Sequence, residues 1–211
     1  MTNIFNVDNA FFRFMSKVCD VFLLSVIWLI CSLPVVTAGA ATAAINAVAI
    51  KAVRNEEGYI FRSFFKAFTQ YFKNATKIWL LTLVMAMVLT GDLIFFYRLG
   101  NLIGALGAGA AFLLLLLLGL TAMIIFHDLV WFRNGAKATI IHSFKIAIGF
   151  LPYSAALLIL FAAMVYGIYV SVGLMVFFTL FGAGLIAYVS AYLWRKVFDK
   201  LDNRQHKVIK I

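Results

Sequence analysis

Long stretches without a charged side chain constrain this chain more than any other feature. Residues 102–126, 146–170 and 172–194 carry no Asp, Glu, Lys or Arg, and residues 78–97 carry only Asp92. Each stretch is long enough to cross the roughly 30 Å apolar core of a bilayer as an α-helix. A lone strand would leave its backbone groups without hydrogen-bond partners in lipid. The sequence therefore predicts an all-α, polytopic transmembrane helix bundle forming a single membrane domain over residues 1–211.

The overall composition agrees with this interpretation. Of the 211 residues, 65% are hydrophobic and 12% are charged, and the mean hydropathy is +1.03. A soluble domain is typically about half apolar and about a quarter charged. The composition excludes a disordered chain, a nucleic-acid-binding module and a disulfide-rich secreted domain, so we expect a lipid bilayer as the main partner and no nucleic acid. At roughly 20 apolar residues per helix, the chain can form about six spans.

The first part of the chain contains one charge-free run between Asp20 and Lys51. A straight helix over this run would be about 45 Å long, which exceeds the bilayer core. Pro34 interrupts it, so the sequence predicts an N-terminal helical hairpin with helices over 11–33 and 38–53. The second helix is rich in alanine, which favours close packing inside the bundle.

The distribution of basic residues indicates the orientation. They cluster in residues 1–20, 51–77, 127–145 and 195–211, and the positive-inside rule places such clusters in the cytoplasm. Six crossings with both termini cytoplasmic satisfy this rule, with 195–211 as a basic cytoplasmic tail. The alternative is five crossings, with residues 38–50 re-entrant and the N-terminus outside.

Residues 58–77 have the clearest amphipathic pattern in the chain. At 100° per residue, the aromatic side chains fall on one face of a helix and the basic side chains on the other. We expect a cytoplasmic amphipathic helix that lies in the membrane interface and runs into the span 78–97. Two roles stay open for it, membrane-surface anchoring and docking of a partner. The candidate residues are Phe61, Arg62, Phe64, Phe65, Lys66, Phe68, Phe72, Lys73 and Lys77.

Few side chains suggest chemistry inside the spans. Asp92 is a carboxylate within an apolar segment, and such a group is a functional candidate by default. Asn46 in the alanine-rich helix is a second intramembrane polar candidate. His127 and Asp128 follow the apolar segment 102–126, where we expect both to be solvated at a helix end. We identify no catalytic residue, no cofactor site and no metal-ligand spacing. A small transporter or channel that uses Asp92 and Asn46 is one hypothesis for the function.

Three stretches, Asn9–Lys17, Cys31–Thr42 and Glu56–Tyr59, resemble the YesL-like family of bacterial integral membrane proteins, a domain family of unknown function. The resemblance covers about residues 8–98. The motif positions that carry it are Phe11, Phe12, Arg13, Pro34, Glu56, Glu57 and Gly58. It implies a multi-pass protein of the bacterial inner membrane with an accessory or regulatory role in carbohydrate uptake, alongside ABC transporter permeases or other sugar-uptake subunits. It supplies no catalytic residue, no cofactor, no substrate and no oligomeric state.

Overall fold

A computed structural model describes residues 10–54, 59–132 and 135–209, with side chains described between residues 15 and 195 of these ranges. This part of the chain forms seven α-helices and no strand. Six helical segments in it are long and apolar enough to cross a membrane, and α5 is the helix that contributes none. The predicted fold class is confirmed. The helices are α1 (Ala10–Ser32), α2 (Ala38–Val53), α3 (Ile60–Arg98), α4 (Leu102–Phe132), α5 (Ala136–Gly149), α6 (Leu151–Val170) and α7 (Val172–Ile209).

The predicted break at Pro34 is present. α1 ends at Ser32, and a short 3₁₀ turn over Val35–Thr37 leads into α2. Pro34 adopts an extended conformation, as expected for a residue that cannot continue a helix. The Thr37 hydroxyl lies 2.7 Å from the backbone oxygen of Cys31 and 2.8 Å from that of Pro34, so it ties the turn to the end of α1.

α2 forms the centre of the bundle. Its side chains from residue 43 to residue 50 are all buried, and it packs against α3, α7, α4 and α1. A Cβ at Gly39 would overlap the side chain of Trp79, so the small residues of α2 allow close helix contact. The Trp79 Nε1–H group donates to the Val35 backbone oxygen across 2.7 Å.

The contacts of Trp79 with Val35 and Gly39 show how α2 and α3 align. Trp79 is the midpoint of α3, so the α1–α2 turn lies beside the middle of α3 and α2 follows its first half. The second half of α3 pairs with α4, and many of its apolar side chains, such as Met87 and Phe95, are exposed. Exposed apolar surface of this kind suits a lipid environment.

The predicted amphipathic segment 58–77 and the predicted span 78–97 lie in one helix, because α3 continues without a break from Ile60 to Arg98 and no Pro or Gly interrupts residues 60–90. Three other predicted boundaries need correction. The segment 146–170 is not one helix, because α5 ends at Gly149 and α6 starts at Leu151. Pro152, at the start of α6, fits the first turn, where its missing N–H is not needed.

The other two corrections concern helix ends that continue further than expected. α4 extends to Phe132, six residues beyond the predicted end of the segment 102–126. The region 195–211, expected as a tail, continues α7 as helical backbone to Ile209.

Candidate functional site

The aromatic face predicted for residues 58–77 is divided in the structure. Phe64, Ala67, Tyr71, Ala75 and Ile78 are buried. Their spacing of three and four residues is that of one helical stripe, and this stripe joins the main core with α2 and α4. Phe64 is fully buried, and Phe68 is partly buried against the same core. Phe64 therefore serves packing, and the prediction that it belongs to a membrane-surface or docking face is wrong. Phe68 contributes part of its side chain to the core.

The remaining aromatic residues stay on the surface. Phe61, Phe65 and Phe72 are 64%, 38% and 39% exposed. The ring centroids of Phe61 and Phe65 are 4.8 Å apart, close enough for the two rings to hold each other in place. The four basic candidates are also exposed, and together these seven residues form what we call the aromatic–basic face: Phe61, Arg62, Phe65, Lys66, Phe72, Lys73 and Lys77.

The two intramembrane polar candidates do not meet. Asn46 is buried in α2, whereas Asp92 is exposed in the second half of α3. Gly39 lies beside Trp79, and α2 runs antiparallel to α3, so Asn46 and Asp92 lie in opposite directions from this contact. By helical rise they are about 30 Å apart along the bundle. They do not share a site.

A buried polar cluster lies where the sequence predicted solvated side chains. Asp128 is fully buried in α4. His142 Nδ1 donates to its Oδ1 across 2.6 Å, and the Ser143 hydroxyl donates to its Oδ2 across 3.0 Å. The His142 side chain is 28% exposed, and its ring packs edge-on against Phe132. The expectation that Asp128 is solvated at a helix end is therefore wrong, because α5 folds back and covers it.

His127, the neighbouring residue, makes a second buried contact. It is 3% exposed, and its Nε2 lies 2.8 Å from the Ser190 hydroxyl of α7. The Ser190 hydroxyl lies 2.6 Å from the Ile186 backbone oxygen. His127 Nε2 and the Ser190 hydroxyl therefore form a buried hydrogen bond between α4 and α7. His127 was also expected to be solvated, and this expectation is wrong because α7 packs against it through Ser190.

The two contacts hold α5 and α7 against α4. Ser143 bonds to the carboxylate of Asp128 and not to the imidazole of His142. The hydroxyl–imidazole contact of this region, between Ser190 and His127, is buried between α4 and α7. Within the described residues, no three His, Cys, Asp or Glu side chains are placed to hold a metal ion. The arrangement is suited to fixing helix positions.

A sequence signal for this cluster exists. Asp128 and His142 are equidistant from Gly135 in the sequence, and Gly135 starts the turn into α5. A helical hairpin centred on Gly135 places Asp128 on α4 and His142 on α5 at the same level along the two helix axes.

Several motif residues cannot be placed. Glu56, Glu57 and Gly58 lie outside the described residues. Phe11, Phe12 and Arg13 belong to the helical backbone of α1, and their side chains lie outside the described ones.

Comparison with known proteins gives one match. A family model described as "Protein of unknown function, DUF624" matches residues 21–93. The matched region contains the end of α1, the Pro34 turn, α2 and most of α3, so it includes the aromatic–basic face. No curated protein and no solved structure matches the chain.

Proposed function

We propose that this chain is a non-enzymatic membrane protein of the bacterial cytoplasmic membrane that acts as an accessory component of carbohydrate uptake. In this proposal it binds the permease of an ABC-type importer through the aromatic–basic face. The link to carbohydrate uptake comes from the resemblance to the YesL-like family. The link to a binding role comes from the surface of α3.

The exposure of Phe61, Phe65 and Phe72 is the observation that carries the proposal. Aromatic residues and arginine are enriched where proteins bind one another, because large side chains bury much area with little loss of freedom. The core stripe of α3 lies beside these rings, about 100° around the same helix, so the helix that presents them is held rigidly by α2 and α4.

The basic clusters give the proposed orientation. Lys66, Lys73 and Lys77 lie on the first half of α3, and the positive-inside rule assigns this end to the cytoplasm. Both termini are then cytoplasmic. A periplasmic location of a tag fused at residue 1 or at residue 211 would contradict this orientation.

Co-purification in mild detergent tests the proposal. We expect tagged protein from its native membranes to bring with it the permease subunits of a carbohydrate importer, identified by mass spectrometry. A variant with Phe61, Phe65 and Phe72 each changed to Ala should lose them.

The chain offers a matched control for this variant. Phe95, Phe112 and Phe161 are 62%, 60% and 39% exposed, and none belongs to the aromatic–basic face. Changing these three to Ala should leave the permease bound. Absence of any importer subunit from the wild-type sample, or equal loss in both triple variants, would contradict the proposal.

A further inference from the structure

A cavity of about 500 Å³ opens between α2, α3 and α4 at the basic end of the bundle. Lys51 and Arg54 line it from α2, and Lys66 lines it from α3. None of its described lining residues is acidic. Three cations around one cavity repel one another, and a bound anion removes this cost.

The side chains around the cavity are placed for an oxyanion. The Arg54 guanidinium stacks on the Trp131 ring, with its central carbon 4.0 Å from the ring centroid. Stacking orients the planar guanidinium, which can then donate two parallel hydrogen bonds to a phosphate group. Tyr71 and Gln70 add a hydroxyl and an amide to the wall.

A second cavity of about 600 Å³ adjoins the first, and Lys51 and Ser63 line both. Its other walls are largely apolar, with Leu23 and Val48 among them. Asp20 also lines it, which disfavours a second anionic group there. A basic cavity beside an apolar one matches a molecule with an anionic head and a hydrocarbon chain.

We propose that the two cavities form a binding site for one anionic phospholipid. The phosphate lies among Lys51, Arg54 and Lys66, and an acyl chain follows the apolar cavity past Leu23 and Val48. Basic pockets between membrane helices bind anionic headgroups in this way. The site shares Phe61 and Lys66 with the aromatic–basic face, so it is tested by lipid binding to the purified protein, without any partner protein.

Lipid binding to the purified protein tests this site. Protein in a neutral detergent is titrated with phosphatidylglycerol, and bound lipid is counted by native mass spectrometry. Phosphatidylcholine serves as the zwitterionic comparison, and inorganic phosphate, measured by equilibrium dialysis, as the soluble one. We expect one tightly bound phosphatidylglycerol and much weaker binding of the other two.

Variants assign the binding to the cavity. The double change Arg54→Gln and Lys66→Gln should weaken phosphatidylglycerol binding roughly 30-fold, and Lys66→Gln alone roughly fivefold. The control is Lys73→Gln with Lys77→Gln, which removes the same charge from exposed positions of α3 outside the cavity. It should change binding less than twofold.

Three results would overturn the proposal. The first is equal binding of phosphatidylglycerol and phosphatidylcholine. The second is equal loss in the cavity and control variants. The third is inorganic phosphate binding as tightly as the lipid. It would show that the cavity binds phosphate and that the acyl chain of the lipid contributes nothing.

Discussion

The buried carboxylate of Asp128 allows a sharp prediction about stability. Changing Asp128 to Ala removes the acceptor of both His142 and Ser143. His142 is partly exposed and can bond to water, so its loss of a partner costs little. Ser143 is fully buried, and a buried hydroxyl without an acceptor costs about 1–3 kcal/mol. With the lost charge-assisted bond to His142, we expect a total loss of about 2–4 kcal/mol.

The partner residue should show a different cost. Changing His142 to Ala leaves a buried carboxylate with Ser143 as its remaining side-chain donor. Leaving a buried carboxylate without one of its partners costs up to about 3–5 kcal/mol. The double variant Asp128→Ala, His142→Ala should therefore cost less than the sum of the single changes. We expect a coupling energy of about 1–3 kcal/mol.

Unfolding measurements in detergent would check these values. For a chain of this size, 1 kcal/mol corresponds to a shift in Tm of about 2–4 °C. Asp128→Ala should lower Tm by roughly 5–15 °C. Asp92→Asn is the control, because Asp92 is exposed and its change should alter stability by less than about 0.5 kcal/mol. A loss below about 0.5 kcal/mol for Asp128→Ala, or strict additivity in the double variant, would refute the reasoning.

Two further predictions concern packing. Phe64→Ala should destabilise the protein by about 3–5 kcal/mol because it empties a core position, whereas Phe61→Ala should cost less than about 1 kcal/mol. Thermal unfolding of both variants measures these costs, and equal costs would contradict the division of the α3 face into buried and exposed rings. Gly184→Val should lower the free energy of unfolding by about 1–3 kcal/mol, because a Cβ there would lie 2.5 Å from the Val21 backbone oxygen and 2.8 Å from the Ser25 hydroxyl. An unchanged Tm would show that α1 and α7 are not in close contact.

Local chemistry made part of the fold predictable. Proline lacks the backbone N–H that continues a helix, so Pro34 predicted the break after α1, and α2 has the predicted bounds 38–53. The apolar segments likewise identified the helices that can cross a membrane. The break at Phe150 was missed because apolar residues continue on both sides of it, although Pro152 in the first turn of α6 was a local signal for a helix start.

The polar cluster shows what a linear pattern omits. The charge of Asp128 marked the end of an apolar segment, and a charge after such a segment is usually solvated. Its burial depends on α5, which runs back along α4 and brings His142 and Ser143 into contact with Asp128. Phe64 and Phe61 were likewise placed on one apolar face by the helical wheel. The packing of α2 and α4 against part of that face decided which ring is buried.

Photo-crosslinking in living cells tests the central claim most directly. A photoreactive phenylalanine analogue at position 61 or 72 should form a covalent adduct with the permease of a carbohydrate importer, identified by mass spectrometry. The same analogue at position 95 should form none, although Phe95 is about as exposed as Phe61. A lipid adduct at position 61 is expected from the proposed lipid site, because Phe61 lines its apolar cavity. Adducts with lipid at both positions and with the permease at neither would contradict the account and assign the aromatic–basic face to membrane anchoring.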